Sequence, residues 1–387
     1  MGKLISVIIL SYNNADNINR AIDSVLTQDY DAVELIVSDD GSANFDVDKI
    51  RLHIEKRKRE NLLCYQVLHN EKNSGTVQNL RNALKFLTGQ YHMIIGGDDW
   101  LADKNVLSDF SNAYMQYPDE PMAICANAYM CDYNGEIIDT MMNRDMVLTL
   151  AAGDDTLLLN RLRYQCILLT VATCYRREFW EVVGMPDEEY TYLEDWPTFV
   201  KMAKRGIVPA FLPRIVTYHQ RGGIANGAER VNVEQVRQLF ADRQMLFGKE
   251  TIPYLESMTA KDKSAYHNRQ KYEAYALYER TVFNQMPVKK KILACLNNKT
   301  ARSIAYRTRK QWLLPGLKIL GDKLKALILV IFILFTMYFT MELFHPFGIY
   351  THTVSTIIWI LLVALMIVGI IKLLAKTLCV LLDKSNR

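Results

Sequence analysis

Three short apolar runs in the first hundred residues each end on a cluster of polar side chains. Residues 4–10 (LISVIIL) lead into Ser11-Tyr12-Asn13-Asn14, residues 33–38 (VELIVS) into Asp39-Asp40-Gly41-Ser42, and residues 91–95 (YHMII) into Gly96-Gly97-Asp98-Asp99. A continuous apolar run of this length suits a strand buried on both faces. Between the runs the spacing changes. Ile18, Ala21, Ile22, Val25 and Leu26 recur at helical intervals within residues 15–27, residues 74–87 repeat that pattern, and Leu62–His69 reads as a further strand. Strand and helix in alternation predict an α/β domain with a mostly parallel sheet flanked by helices. Such sheets bind ligands at the carboxyl ends of their strands. Independent strands therefore deliver these polar clusters to one rim.

Each cluster has an ordinary structural reading and a chemical one. Asp98-Asp99 closes a strand after two glycines, which let other groups approach the backbone closely. Two carboxylates there suit a hard divalent cation shared with a diphosphate, or form a plain polar turn. Asp39-Asp40-Gly41-Ser42 can accept hydrogen bonds from a base or ribose hydroxyl, or make an Asx-turn with Gly41 at positive φ. Glu194-Asp195-Trp196-Pro197 opens a helix running to about Lys204, where Asp195 suits the N-cap. A carboxylate near a helix N-terminus also stays ionised, as a general base must.

The chain's seven cysteines form no C-x-x-C pair, so neither a zinc site nor a disulfide framework is expected, and the pattern fits a reducing compartment. The net charge of +4 hides an uneven distribution: residues 287–325 carry eleven Lys or Arg and one acid, Asp322. Interleaved Ile304, Tyr306, Trp312, Leu313 and Leu314 give this stretch the character of a membrane-interfacial segment for anionic lipids rather than a nucleic-acid patch. Residues 326–341 and 353–371 are apolar, the second run spanning roughly 28 Å as a helix. Lysines flank the pair and none lies in the loop between, so both ends are expected in the cytoplasm. The expected organisation is a catalytic domain at 1–225, a helical extension at 226–286, the basic segment at 287–325 and a two-helix transmembrane hairpin at 326–383. That implies a two-span membrane protein with a cytoplasmic catalytic domain, with room for self-association through the C-terminal region.

Five segments, taken in order, carry a resemblance: residues 6–13 (SVIILSYN), 21–28 (AIDSVLTQ), 34–42 (ELIVSDDGS), 96–99 (GGDD) and Glu194-Asp195. Together they resemble the inverting family 2 glycosyltransferases of the GT-A fold, over roughly residues 3–225. The resemblance implies a nucleotide-diphosphate-sugar donor and Mn²⁺ or Mg²⁺ as cofactor. It implies that Tyr12, between Ser11 and Asn13, stacks on the base and that Asp40, with Asp39, holds base and ribose. Arg81 in Asn79-Leu-Arg-Asn82 would approach the nucleotide. Asp99 would coordinate the metal, with Asp98 near the ribose, the sugar or the metal. Asp195, beside Glu194, would be the catalytic base, and His219 in residues 218–223 (YHQRGG) would touch metal or phosphates. The family often has Asp-x-Asp where this chain has Asp98-Asp99.

The implied reaction is a single displacement on a glycan or lipid-linked hydroxyl acceptor in cell-surface polysaccharide synthesis. One base without a second nucleophilic carboxylate predicts inversion. A polyprenyl-phosphate glycosyltransferase is the alternative within the fold, although its phosphate acceptor needs no base. A nucleotidyltransferase would want a glycine-rich basic loop, which residues 6–14 lack. The alternative of another class is a membrane scaffold that keeps the fold without catalysis.

Overall fold

A computed structural model describes residues 2–15, 17–221 and 232–287, with the isolated positions 290, 294 and 300. The chain divides into two compact units, Met1–Leu277 and Tyr278–Arg387. The basic segment lies almost wholly outside the described residues, and both apolar runs within 326–383 lie outside them. Among the described residues no helix is long and apolar enough to cross a membrane. The expected localisation, a two-span membrane protein with a cytoplasmic catalytic domain, is corrected on that ground.

The first unit is a mixed α/β fold. Strands β1 (Ile5–Ser11), β2 (Val33–Asp39), β3 (Leu62–His69) and β4 (Tyr91–Gly96) form a parallel block in the order β3-β2-β1-β4. Helices α1 (Ile18–Leu26), α2 (Val47–Arg57) and α3 (Thr76–Leu84) connect them. Period-two alternation within the apolar runs divides them between two cores. Ile8, Ile36 and Ile94 pack against Val77, Leu80 and Ala83 of α3. Val7, Ile9, Leu35, Val37, Met93 and Ile95 pack on the other face against Ile22 and Val25 of α1 and Ile50 of α2. Ile8 on one face and Val7 and Ile9 on the other let β1 serve both sides, while its buried Ser6 donates to Glu34.

Beyond β4 the expectation of a mostly parallel sheet gives way to a mixed one. Strand β5 (Trp100–Leu101) is followed by α4 (Val106–Met115), β6 (Ala123–Cys131) and β7 (Ile137–Thr140). Helices α5 (Arg144–Ala151) and α6 (Asp155–Leu162) lead to β8 (Thr173–Arg176), α7 (Phe179–Val183), α8 (Asp195–Lys204) and β9 (Ala210–Gln220). The sheet continues as β4-β8-β6-β9-β5, with β7 on β6. Strand β8 runs antiparallel to β4 and β6, β5 antiparallel to β9, and only β6–β9 is parallel here. Two long helices, α9 (Val233–Glu250) and α10 (Ala260–Tyr278), complete the unit.

Register fixes where the polar clusters go. Ser11 lies opposite Asp39, and Leu10 opposite Gly96. The three apolar runs thus end within one residue of each other, and their polar clusters emerge along a single edge.

Candidate active site

A cavity of about 530 Å³ opens at that edge. It is lined by Ser11, Tyr12, Asp40, Asp98, Asp99, Glu194, Asp195 and His219, so eight of the eleven expected site residues come together. Asn13, Asp39 and Arg81 are not in its lining.

On the β1–β2 side the two aspartates organise the rim. Asp39 is fully buried. Its carboxylate accepts the Ser42 backbone N–H (2.8 Å) and Oγ–H (2.6 Å), and lies 2.9 Å from His69 Nδ1. Ser42 Oγ in turn accepts the backbone N–H of Asn13 at 2.7 Å. Asn13 has φ 52°, a left-handed conformation that asparagine tolerates better than most residues. Gly41 has φ +76°, and a Cβ there would fall 2.5 Å from the Lys72 carbonyl carbon, so the turn needs glycine. Asp40 accepts Asn70 Nδ2 (3.0 Å), the Ser74 N–H (3.0 Å) and Oγ–H (2.8 Å), and the Gly75 N–H (2.8 Å). It therefore ties the 70–75 loop to the rim, leaving little of its acceptor capacity for a base or ribose. Beside it Tyr12 stands 37% exposed, free to meet a planar ligand, with Asn73 and Thr76 in the same wall.

At the end of β4, the antiparallel pairing of β5 with β9 sets Trp100 opposite Tyr218 and so brings His219 to Asp99. Asp99 Oδ1 lies 3.0 Å from His219 Nδ1 and accepts the Gln220 N–H at 3.1 Å, while Oδ2 accepts the Gly96 N–H at 3.1 Å. Burial and the adjacent Asp99 charge push the Asp98 carboxyl up to about 6. Against the lowering effect of burial, the Asp99 carboxylate raises His219 to about 9. A Cβ on Gly96 would sit 2.8 Å from Asp98 Oδ1 and 3.0 Å from Asp99 Oδ2. Both carboxylates thus face the bare side of Gly96, a cradle that only glycine leaves open. Among the described residues no group of three His, Cys, Asp or Glu side chains is arranged to enclose a metal ion. A cradle of two carboxylates nevertheless fits a hard cation that takes most of its shell from water and substrate phosphates.

Across the cavity stands the second carboxylate pair. The expected N-cap role of Asp195 is corrected: Glu194 occupies that position without a side-chain cap, and Asp195 is the first helical residue. Asp195 Oδ1 accepts the N–H of its neighbour Trp196 at 2.6 Å. Burial, then the Asp195 charge, push Glu194 up to about 8. Burial raises Asp195 as well, opposed by the Trp196 N–H and the Arg243 charge.

Arg81 is engaged elsewhere. Its guanidinium donates to the Pro186 carbonyl at 2.7 Å and pairs with Glu188 at 2.5 Å. Arg243 and Arg269 line the cavity instead, together with Leu239, all from α9 and α10. Sequence reasoning passed over both arginines because no local motif marks them. The signal present, Arg269 four residues before Glu273, reads as an ordinary pair on a helix surface; burial of Glu273 to 1% exposure is a tertiary fact.

Residues 6–141 match the family Glycosyl transferase family 2. The match takes in the strand-end side of the cavity, from β1 through the Gly96 cradle, and stops short of Glu194 and Asp195. The chain is similar to UDP-Glc:alpha-D-GlcNAc-diphosphoundecaprenol beta-1,3-glucosyltransferase WfaP of Escherichia coli, with 29% identity over 126 residues, 30% of this chain and 47% of that protein. It is similar to WfgD of Escherichia coli, which carries the same description, with 33% identity over 102 residues, 26% of this chain and 38% of that protein. Each match spans less than half of the relative's own length. Among solved structures, the mannosyltransferase PcManGT from Pyrobaculum calidifontis in complex with GDP-Man and Mn²⁺ aligns over 85% of this chain and 81% of that one. Its TM-score is 0.46 and its identity 18%, too low to carry a ligand or a mechanism across.

Proposed function

We propose that this protein is an inverting glycosyltransferase that moves a sugar from a nucleotide-diphosphate donor to a hydroxyl of a lipid-linked glycan in cell-surface polysaccharide synthesis. The observation that carries the reading is the single cavity with one carboxylate pair at the strand ends and a second pair across it. The family match at residues 6–141 supports the donor side, and the lipid-diphosphate acceptors in the printed names of WfaP and WfgD support the acceptor class.

Tyr12 offers an aromatic face to the base, and Ser11, Asn73 and Thr76 offer polar atoms beside it. Asp99 and Asp98 would hold Mn²⁺ or Mg²⁺ at the Gly96 cradle, with His219 alongside. Such an ion supplies Lewis-acid stabilisation of the charge developing on the departing diphosphate. Glu194, held up to about 8, keeps its proton in neutral solution. Asp195 is then the member of the pair free to act as general base. It takes the proton of the acceptor hydroxyl as that oxygen bonds to the anomeric carbon. The bond from that carbon to the diphosphate oxygen breaks, and the nucleoside diphosphate leaves with the electron pair. Attack from the face opposite the leaving group inverts the centre. Ile94, Ile95, Leu168 and Leu169 give the cavity apolar walls beside these carboxylates.

The test is a panel of nucleotide sugars offered with N-acetylglucosamine-diphospholipid as acceptor, with and without Mn²⁺, following transfer by mass change and donor binding by calorimetry. Transfer from at least one donor is expected. Neither binding nor turnover of any donor would sink the reading.

A further inference from the structure

Helix α1 works on two sides. Its apolar residues Ala21, Ile22, Val25 and Leu26 enter the core. Arg20 and Ser24, four residues apart, share another side, and Gln28 continues that row just past the end of the helix. The row holds the backbone that leaves the Gly96 cradle. Arg20 Nη2 donates to the Asp98 carbonyl at 3.3 Å, and Ser24 Oγ accepts the Leu101 N–H at 3.1 Å. Gln28 Nε2 donates to the Asp103 carbonyl at 2.6 Å, and its Oε1 accepts the Leu107 N–H at 3.1 Å. Strand β5 is only two residues long, so strand pairing fixes little of this segment and α1 supplies the rest.

Arg20 reaches further than the other two. The same Nη2 donates to Gln220 Oε1 at 2.5 Å, at the end of β9. The guanidinium carbon lies 3.6 Å from the centre of the Trp100 ring, and Trp100 stacks on Tyr218 with centroids 5.1 Å apart. A Cβ on Gly135 would come 3.8 Å from the Trp100 ring and 3.9 Å from Arg20 Nη1, so the turn between β6 and β7 packs over both. Asp98 and Trp100 are the neighbours of Asp99, and Tyr218 and Gln220 are the neighbours of His219. Arg20 thus touches three of the four residues that bracket the Asp99–His219 pair and reaches the fourth through Trp100. The Gln220 N–H, donated to Asp99 Oδ1, closes this ring of contacts. A guanidinium suits the place because it combines several donors with a flat face that stacks on an indole.

We propose that Arg20 is a positioning residue for the transfer reaction, fixing Asp99 and His219 at the cavity edge by holding the residues on either side of each. This rests on the reading of the Gly96 cradle as the place of the donor diphosphate and its cation. Arg20 is not in the cavity lining, so it acts through that pair and not on the substrate. Groups that orient a ligating side chain from behind typically cost about 10- to 100-fold in metal affinity when they are removed.

The experiment compares the full chain with Arg20→Met, Gln220→Leu, their double variant and Ser24→Ala. Mn²⁺ binding is followed by electron paramagnetic resonance with and without UDP, and hydrogen–deuterium exchange by mass spectrometry without ligand. Arg20→Met keeps the aliphatic stem on Trp100 and removes both hydrogen bonds. It should weaken Mn²⁺ binding about tenfold and speed exchange at residues 97–101 and 217–220, leaving residues 21–26 of α1 unchanged. Ser24→Ala, in the same row but one turn further from the cradle, should keep Mn²⁺ affinity within about twofold. The double variant should lose less than the two single losses combined, because the two side chains share one hydrogen bond. Wild-type Mn²⁺ affinity in Arg20→Met, faster exchange throughout the chain, or an equal Mn²⁺ loss in Ser24→Ala overturns the proposal. If Arg20→Met does not fold, Gln220→Leu decides, since it takes away the acceptor through which Arg20 holds the end of β9; unchanged exchange at residues 97–101 then overturns the proposal. Should the wild type bind no Mn²⁺ and transfer no sugar, the reading of the site fails, while the exchange pattern still judges whether Arg20 holds Asp99 and His219 in place.

Discussion

The two walls of the cavity are built in opposite ways. The strand-end wall, with Ser11, Tyr12, Asp40, Asp98 and Asp99, comes from parallel strands that end in register, and each residue directly follows the run that positions it. The facing wall, with Glu194, Asp195, Arg243 and Arg269, draws on three separate helices. Its residues meet only because Asp242, Phe247 and Glu273 hold them there. The first wall is local in sequence and tied together by backbone hydrogen bonds. The second is long-range, and its carboxylates are shifted by burial and by one another. The contrast predicts binding chemistry on the first wall and acid–base chemistry on the second.

Asp195→Asn should separate the two most sharply. The amide cannot take a proton, and loss of a general base typically costs about 10² to 10⁴ in rate. Its side-chain oxygen can still accept the Trp196 N–H, so the helix start survives. Donor affinity, which belongs to the other wall, should be unchanged by calorimetry. Glu194→Gln should cost less in rate. Normal turnover by Asp195→Asn with a dead Glu194→Gln would reverse the assignment within the pair.

Asp99→Asn tests the first wall. It removes the charge that a cation at the Gly96 cradle would need, and donor binding in Mn²⁺ should weaken by about tenfold or more. Its cost in stability should be about 1–3 kcal/mol, because an amide cannot accept from the Gly96 N–H, the Gln220 N–H and His219 together. Full wild-type activity in excess chelator would remove the metal from the account.

A smaller effect separates the walls by pH. Glu194 is raised to about 8 in the folded protein and returns to the ordinary carboxyl range when unfolded. The folded state therefore holds a proton that the unfolded state releases, so this group's contribution to stability is full below about pH 4.5 and is lost as pH rises through about 8. Glu194→Gln has no such term. Its Tm should exceed that of wild type by several degrees near pH 9, and the gap should close near pH 5. A constant gap across pH would place the burial cost somewhere other than Glu194.

What the sequence revealed follows the same division. Runs such as 4–10 announce their burial on both faces, and a polar cluster directly after a strand can only sit at its carboxyl end. The helical spacing of residues 15–27 located α1, which starts at Ile18 because a turn from Asn14 to Asn17 precedes it. The antiparallel half of the sheet was not legible. Strand β5 is two residues long, and β8 carries no alternation that distinguishes an antiparallel neighbour. Asp39 and Asp40 look like ligand groups because a carboxylate that closes a turn and one that binds a ribose have the same sequence. Only their partners, Ser42, His69, Ser74 and Gly75, tell them apart.

The smallest predicted effect concerns Arg81, whose family-implied role was to approach the nucleotide. Its guanidinium is turned to the 186–188 loop, where it donates to the Pro186 carbonyl and pairs with Glu188. Glu188 is 64% exposed, and a pair of that kind contributes at most about 1 kcal/mol. The hydrogen bond to a carbonyl adds about as much again. Arg81→Met keeps the aliphatic stem and removes both contacts, so it should lower stability by about 1–2 kcal/mol. Donor affinity should change by less than about threefold, a difference under 1 kcal/mol. The measurement is calorimetric donor binding beside thermal unfolding for the same preparation. A large loss of donor affinity with little loss of stability would mean that the arginine leaves Glu188 for the nucleotide when donor binds. The two walls would then be joined by a residue that changes partners, and the division between binding and acid–base chemistry would have to be redrawn around it.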